Sequence, residues 1–139
     1  MHMNFSYPAK IILAWGEAIS GNIDIRTWLL RNGYPELGLF AFALRNHDES
    51  RDWLMRNGFP HLMALINGIE GNVNALAWLR KNGFDVLEKM ARAADHDEEA
   101  MLWLVQNGFR DMAAIAERMM IVKDQIESDN NDVHKISSS

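Results

Sequence analysis

Four tryptophans stand 25 residues apart in this chain, and this repeat limits its fold more than any other feature. Trp28, Trp53, Trp78 and Trp103 each open the pattern Trp-Leu-x-x-Asn-Gly-aromatic. A fixed period of about 20 to 50 residues indicates stacked supersecondary units, and 25 residues suffice for two short helices and two tight turns. The repeat therefore predicts an all-α protein, an α-solenoid of antiparallel helix pairs.

The segment before each Asn-Gly pair is predicted to be the first helix of a repeat, helix A. Asn46 with Glu49, and Asp95 with Glu98, have the spacing of a capping box at the start of that helix. The glycine of the Asn-Gly pair is expected to end the helix in the left-handed conformation. The tryptophans supply one large apolar residue per repeat, so we expect them in the core between repeats.

The second helix of each repeat, helix B, follows the Asn-Gly-aromatic turn. Its apolar residues recur with the spacing of one helix face, as in Leu37, Phe40, Ala41 and Leu44. The same register occurs before the first repeat and after the last Asn-Gly pair, which predicts four 25-residue repeats preceded by one extra helix, about nine helices in total. Residues 1–127 are predicted to form a single domain, and the polar residues 128–139 a disordered tail.

Composition narrows the possible functions. An apolar content of 48% permits a core, and a net charge of -5 disfavours binding to nucleic acid, because the chain repels phosphates. The absence of cysteine excludes disulfides, thiolate metal sites and cysteine nucleophiles. It also favours a cytoplasmic location for the protein. The apolar run Ile11–Trp15 is too short for a signal peptide or a membrane span, so neither export nor membrane anchoring is expected.

Helix A resembles the second helix of an ankyrin repeat. The segments Gly21–Gly33 and Gly71–Gly83 are similar to Gly-His-Leu-Glu-Val-Val-Lys-Leu-Leu-Leu-Glu-x-Gly, and the tryptophans are found in shorter ankyrin variants. The chain lacks the Thr-Pro-Leu-His tetrapeptide and about eight residues of the projecting hairpin of the 33-residue repeat. The resemblance implies stacked helix pairs with a concave face for protein partners, without enzymatic activity or a cofactor.

Two short clusters could be read as catalytic or metal-binding residues. His47-Asp48-Glu49 and His96-Asp97-Glu98 recur at helix starts, but neither has a His-x-x-His or Glu-x-x-His spacing. Capping of helix A is the better interpretation. No phosphate-binding glycine loop, nucleophile elbow or kinase signature is present in the sequence. We therefore expect a protein without catalytic residues, a metal or a cofactor.

The face of helix B opposite its apolar stripe varies between repeats, while the repeat framework stays fixed. In repeat proteins such variable positions meet the ligand. Leu39 and Phe42 are notable because apolar residues are not required there, although a neighbouring row of helices could also cover them. The candidate partner-binding residues on this face are Ala14, Glu17, Leu39, Phe42, Ala64, Asn67, Lys89 and Arg92.

The last helix carries an apolar stripe that extends beyond the other copies of helix B, from Met112 to Ile126. It could cap the stack or pair with another chain. Two functions follow: a scaffold that binds a protein or peptide on helix B, or a structural or regulatory homo-oligomer that assembles through the C-terminal helix. The chain is accordingly expected to be a monomer or a weak homodimer.

Overall fold

The computed structural model describes residues 5–138, and the side chains of residues 5–131. This part of the chain is all-α and contains nine helices, as the repeat predicts. They are α1 (Ala9–Ile19), α2 (Ile23–Arg31), α3 (Pro35–Leu44), α4 (Asp48–Arg56), α5 (Pro60–Ile69), α6 (Val73–Lys81), α7 (Asp85–Ala94), α8 (Glu98–Gln106) and α9 (Arg110–Ser138). None of these helices combines the length and the apolar character needed to cross a bilayer.

The helices form two layers, which correspond to the two predicted helix types. The odd-numbered helices, copies of helix B, are the inner helices, and the even-numbered ones, copies of helix A, are the outer helices. Each outer helix packs against the inner helix before it and the inner helix after it. Turns of three residues join them, so neighbours in the chain run antiparallel and the array is a solenoid.

The inner helices share one core. Trp15, Phe40, Leu65, Met90 and Ile115 occupy equivalent positions in the five inner helices, and all five are buried. The Trp15 and Phe40 rings meet edge to face, with their centroids 5.1 Å apart. Large side chains therefore fill the centre of the array, where the ankyrin resemblance implies an open concave face.

The turns after the outer helices have the predicted conformation. Gly33, Gly58, Gly83 and Gly108 all have positive φ, between 82° and 93°. Each ends its outer helix in the left-handed region that glycine adopts at little cost.

The starts of the outer helices lie one or two residues later than the capping boxes predict. The N-caps are His47 and Asp97, whose side chains accept hydrogen bonds from the amides of Ser50 and Ala100. Asn46, predicted as a cap, instead has a φ of 70°. It occupies the left-handed position of the turn, as Gly21 and Gly71 do in other repeats. The shared turn geometry, rather than the pairing of side chains three residues apart, sets where the helix begins.

The repeated tryptophans are not the fully buried residues of the outer helices. Trp28 and Trp78 are 43% and 37% exposed, whereas the following Leu29, Leu54 and Leu79 are completely buried. Trp53, Trp78 and Trp103 stack on the aromatic residue of the next turn, with ring centroids 5.8 to 6.0 Å apart. The prediction of tryptophan in the core is wrong for Trp28 and Trp78, whereas Trp53 and Trp103 are partly buried against the core. The outer helices bury leucine most completely, because each has one narrow buried face and leucine occupies it.

The last helix adopts the cap geometry. Its stripe residues Met112, Ile115, Met119 and Val122 are buried within the chain. Lys123 Nζ donates a hydrogen bond to the carbonyl oxygen of Leu44, 3.0 Å away, at the end of α3. α9 thus extends across the carboxyl end of a neighbouring inner helix.

The helix also continues through Ser138, where the sequence predicts a disordered tail. Residues 128–131 are exposed, so burial does not order them. Once packing has fixed the earlier turns, adding a residue to the helix is inexpensive. Ser139, the end of the predicted tail, lies outside the described residues.

Candidate functional site

The first and last inner helices are in contact, and this contact defines the candidate site. Gly16 of α1 lies against Ile115 of α9, and the hydroxyl of Ser20 accepts a hydrogen bond of 2.8 Å from Arg118 Nη1. The two contacts occur in the same order along both helices, Gly16 with Ile115 and then Ser20 with Arg118, so α1 and α9 run parallel, like all inner helices. The solenoid therefore curves until its two ends meet.

An apolar groove of about 680 Å³ runs along this contact, and we call it the closure groove. Its walls come from α1, α2 and α9. Leu13 and Trp28 are exposed apolar side chains of its lining, whereas Gly16 and Ile115 are buried, contact each other and form its floor. The residues that line the closure groove are Lys10, Ile11, Ile12, Leu13, Ala14, Gly16, Glu17, Ile25, Trp28, Arg110, Asp111, Ala114, Ile115 and Arg118.

Charged residues stand around the apolar groove at both ends. Arg118 donates hydrogen bonds to the Gly16 carbonyl at 3.2 Å and to the Glu17 carboxylate at 3.3 Å, besides the Ser20 hydroxyl. The opposite end carries the exposed Lys10, Arg110 and Asp111 at the beginnings of the two parallel helices. The groove is thus an apolar channel with one internally paired end and one end of net positive charge.

The structure divides the eight predicted partner-binding residues into two groups. Ala14 and Glu17 line the closure groove. The other six are on inner helices that outer helices cover. Ala64 is buried, and Leu39, Phe42, Asn67, Lys89 and Arg92 are half-buried. Of the eight predicted residues, the structure brings only Ala14 and Glu17 together in the closure groove.

Contacts within the chain occupy several of those six side chains. The Phe42 ring lies under the guanidinium of Arg26, 3.9 Å from its centroid, and beside the ring of His47. Lys89 Nζ donates to the buried Glu88 carboxylate at 3.0 Å. Arg92 donates to Asp97 at 2.7 Å and to Glu88 at 3.4 Å. The exposed anchor expected at Leu39 and Phe42 is therefore partly covered, because the preceding outer helix packs over that face.

Sequence reasoning missed Leu13, Trp28, Ala114 and Arg118 as residues of one site. The repeat alignment carried a usable signal, because Arg118 occupies a position where the other inner helices have Ala18, Ala43, Gly68 and Ala93. A small residue there lets the neighbouring helices approach, as at Gly68, whose added Cβ would lie 2.9 Å from Ala91 and Leu76. Arginine at position 118 therefore indicates that α9 packs differently from the other inner helices at this position.

The two His-Asp-Glu clusters serve helix starts rather than a shared site. His47 Nδ1 accepts from the Ser50 amide at 3.3 Å, and Asp97 accepts from the Ala100 amide at 3.1 Å. His96 is exposed and pairs with Asp124 of α9 at 2.8 Å, which raises the pKa of His96. Among residues 5–131, no three His, Asp or Glu side chains come close enough together to hold a metal ion.

Comparison with known proteins identifies no significant match. No protein-family model matches the sequence, and no curated protein or solved structure is significantly similar to it.

Proposed function

We propose that this chain is a non-enzymatic, cytoplasmic scaffold of ankyrin-like helical repeats that binds a protein partner in the closure groove. The observation that carries the proposal is the exposure of large apolar side chains around one concave apolar surface. Leu13 is 69% exposed, and Trp28 beside it is partly exposed. Aromatic and aliphatic anchors in a groove with a charged rim are typical of protein interfaces.

The apolar character of the groove favours a protein over a charged ligand. Its floor and walls are mostly aliphatic, and its charged residues stand at the ends. A nucleic acid would require a row of cations along the groove. The overall charge of -5 opposes such a ligand as well.

The homo-oligomer formed through the C-terminal helix has less support. That alternative needs the apolar stripe of α9 to face another chain, and Met112, Ile115, Met119 and Val122 are instead buried inside this one. Within residues 110–131 of the same helix, Ile121 is the one large apolar side chain that is exposed, and one such side chain provides little of the area that a stable dimer buries.

Selection of short random peptides on phage tests the proposal. The full chain serves as the target, and the Leu13→Glu variant serves for counter-selection. Because a carboxylate in the apolar groove is poorly solvated when the groove is filled, we expect the variant to lose the enriched peptides. Chemical-shift changes caused by a synthetic copy of each peptide should cluster on α1, α2 and α9.

Leu102→Glu provides the matched control, because Leu102 is an exposed leucine on α8 and does not line the groove. It should retain every enriched peptide. A selection that yields no sequence dependent on Leu13, or peptides that bind Leu13→Glu as well as the unchanged chain, would refute the proposed function.

A further inference from the structure

The arrangement of the two layers leaves one position empty. Four pairs of successive inner helices are each bridged by an outer helix, α2, α4, α6 and α8. α9 and α1 are also neighbouring inner helices, yet no outer helix among residues 5–138 packs across them. The closure groove lies at this fifth bridging position.

Equivalent residues of the repeats show what an outer helix covers on the α1 side. The position of Leu13 is occupied in the other inner helices by Gly38, Met63, Glu88 and Ala113, and all four are buried. A Cβ on Gly38 would lie 2.9 Å from Leu30 of α2, and Glu88 accepts a 2.8 Å hydrogen bond from Arg80 of α6. Leu13 is exposed because no outer helix among residues 5–138 packs against it.

The α9 side of the groove gives the same result. Ala114 is exposed, although Ala64 at the equivalent position is buried and Ala14, Leu39 and Lys89 are half-buried. Each of those four lies on an inner helix that packs against the outer helix after it, and no such outer helix among residues 5–138 packs against Ala114. Both walls of the groove are therefore uncovered at the positions where an outer helix normally lies.

The other outer helices define the dimensions of the missing one. Each of the four spans nine residues, roughly 13 Å of helix, and runs antiparallel to the inner helices that it bridges. Each completely buries one leucine: Leu29, Leu54, Leu79 or Leu104. An occupant of the groove with this geometry has one apolar stripe and ends beside the beginnings of α1 and α9.

The charges at one end of the closure groove distinguish a helix of a partner protein from a helix of a second copy of this chain. The end of an antiparallel occupant would lie beside Lys10, Arg110 and Asp111, which together carry a net positive charge. Outer helices of this chain carry cations in their last turns, at Arg31, Arg56 and Lys81, so three of the four would bring like charges together. A helix with acidic residues in its last turn is attracted instead, and this favours another protein over a second copy.

We propose that the closure groove receives an amphipathic helix of a partner protein as a fifth outer helix. The partner helix runs antiparallel to α1 and α9, buries a leucine against Leu13 and Gly16, and places an acidic last turn beside Lys10 and Arg110. This inference rests on the proposed function and specifies the partner's secondary structure, direction and charge.

A designed peptide tests the inference directly. The probe is Gly71–Lys81 of this chain with Arg80→Glu and Lys81→Glu, held helical by a staple between positions 73 and 77, which are exposed in α6. A second peptide keeps Arg80 and Lys81, and a third adds Leu79→Asp to the acidic probe. Fluorescence anisotropy gives the affinity of each peptide for the full chain.

The acidic probe should bind about three- to tenfold more tightly than the basic one. This order should reverse in the Lys10→Glu, Arg110→Glu variant of the full chain. Leu79→Asp in the peptide, or Leu13→Glu in the protein, should weaken binding about thirtyfold, the loss expected for a buried anchor. Leu102→Glu should leave every affinity unchanged. Equal affinity for both charge forms in both proteins would overturn the assigned partner chemistry.

A spin label on the peptide shows in which direction the bound peptide runs along the closure groove. Placed at the peptide's carboxyl end, it should broaden the amide resonances of Lys10 and Arg110, and at the amino end those of Ser20. The opposite pattern would overturn the assigned geometry. Groove-dependent peptides from the phage selection that bind in an extended form would also refute this inference, while leaving the proposed function intact. Self-association of the unchanged chain that Leu13→Glu abolishes would assign the groove to a second copy instead.

Discussion

Gly16 of the first helix packs against Ile115 of the last one so closely that a Cβ on Gly16 would lie 2.7 Å from the Cδ1 of Ile115. Ile115 is buried, so it has little room to move aside. The contact joins the two ends of the solenoid and also forms the floor of the closure groove. Glycine at this position lets the two helices approach each other.

Gly16→Val should therefore destabilise the chain by about 1 to 3 kcal/mol, the usual cost of overpacking a core. Denaturation with urea measures the loss. Ala114→Val places the same side chain at an exposed position across the groove and should change the free energy of unfolding by less than about 0.5 kcal/mol. Equal losses in the two variants would show that the ends of the solenoid are not in contact.

Trp15 should contribute more to stability than the repeated tryptophans. It is completely buried between Phe5 and Phe40, whereas Trp78 is partly exposed. Trp15→Ala should cost about 3 to 5 kcal/mol, and Trp78→Ala less, because an outer position leaves a smaller cavity. Thermal unfolding of both variants measures the difference.

Trp15→Phe refines this comparison. The indole Nε1 of Trp15 is buried and has no hydrogen-bond partner among the described residues. Phenylalanine removes that unsatisfied donor and keeps an aromatic ring, so its cost should be well below that of alanine. A loss at Trp78 that equals the loss at Trp15 would contradict this account of the core.

Glu88 is a buried carboxylate that holds three cations together. Arg80, Lys89 and Arg92 donate to it at 2.8, 3.0 and 3.4 Å. Glu88→Gln keeps the shape but leaves three cations without their shared anion, and we expect a loss of about 1 to 3 kcal/mol. Glu117→Gln removes an exposed carboxylate and serves as the control in urea denaturation. High salt that abolishes the effect of Glu88→Gln would show that the cluster is solvated.

Acid should destabilise the chain through His61. Its ring stacks on Phe84, with centroids 4.9 Å apart, and burial lowers its pKa below the ordinary value of 6.5. As the pH falls below 6.5, the unfolded state takes up the proton first, so the free energy of unfolding decreases towards the lowered folded-state pKa.

His61→Leu should remove this dependence. Unfolding free energies measured from about pH 7 to pH 5 for both proteins isolate it, because both retain His96, whose raised pKa has the opposite effect. Parallel curves for the two proteins would show that burial does not perturb His61.

Local features of the fold were predictable from the sequence, and its closure was not. The spacing of the Trp-Leu-x-x-Asn-Gly motif specified helix pairs and left-handed glycines such as Gly58 and Gly83, because these depend on residues within a few positions. The contact of Gly16 with Ile115 depends on the small rotation between repeats added over four of them, which no single residue encodes.

The candidate surface differed from its prediction for a related reason. Phe42 lies on the variable face of its helix, as predicted, but the exposure of that face depends on whether an outer helix precedes it. Leu13 is on an inner helix too, and it is exposed because no outer helix among residues 5–138 covers the pair formed by α9 and α1. The sequence reveals the repeating contacts, and the site occurs where the repetition ends.

A chain whose ends meet cannot be lengthened as freely as an open one. Duplicating one 25-residue unit in an open solenoid adds one helix pair and leaves the packing of the other units unchanged. Here a fifth pair of helices would be forced between α9 and α1, and Arg118 would lose its contacts with Gly16, Glu17 and Ser20. Adding or removing one 25-residue unit therefore breaks the contact between α1 and α9, so the curvature of the array limits how many units it can hold while that contact is kept.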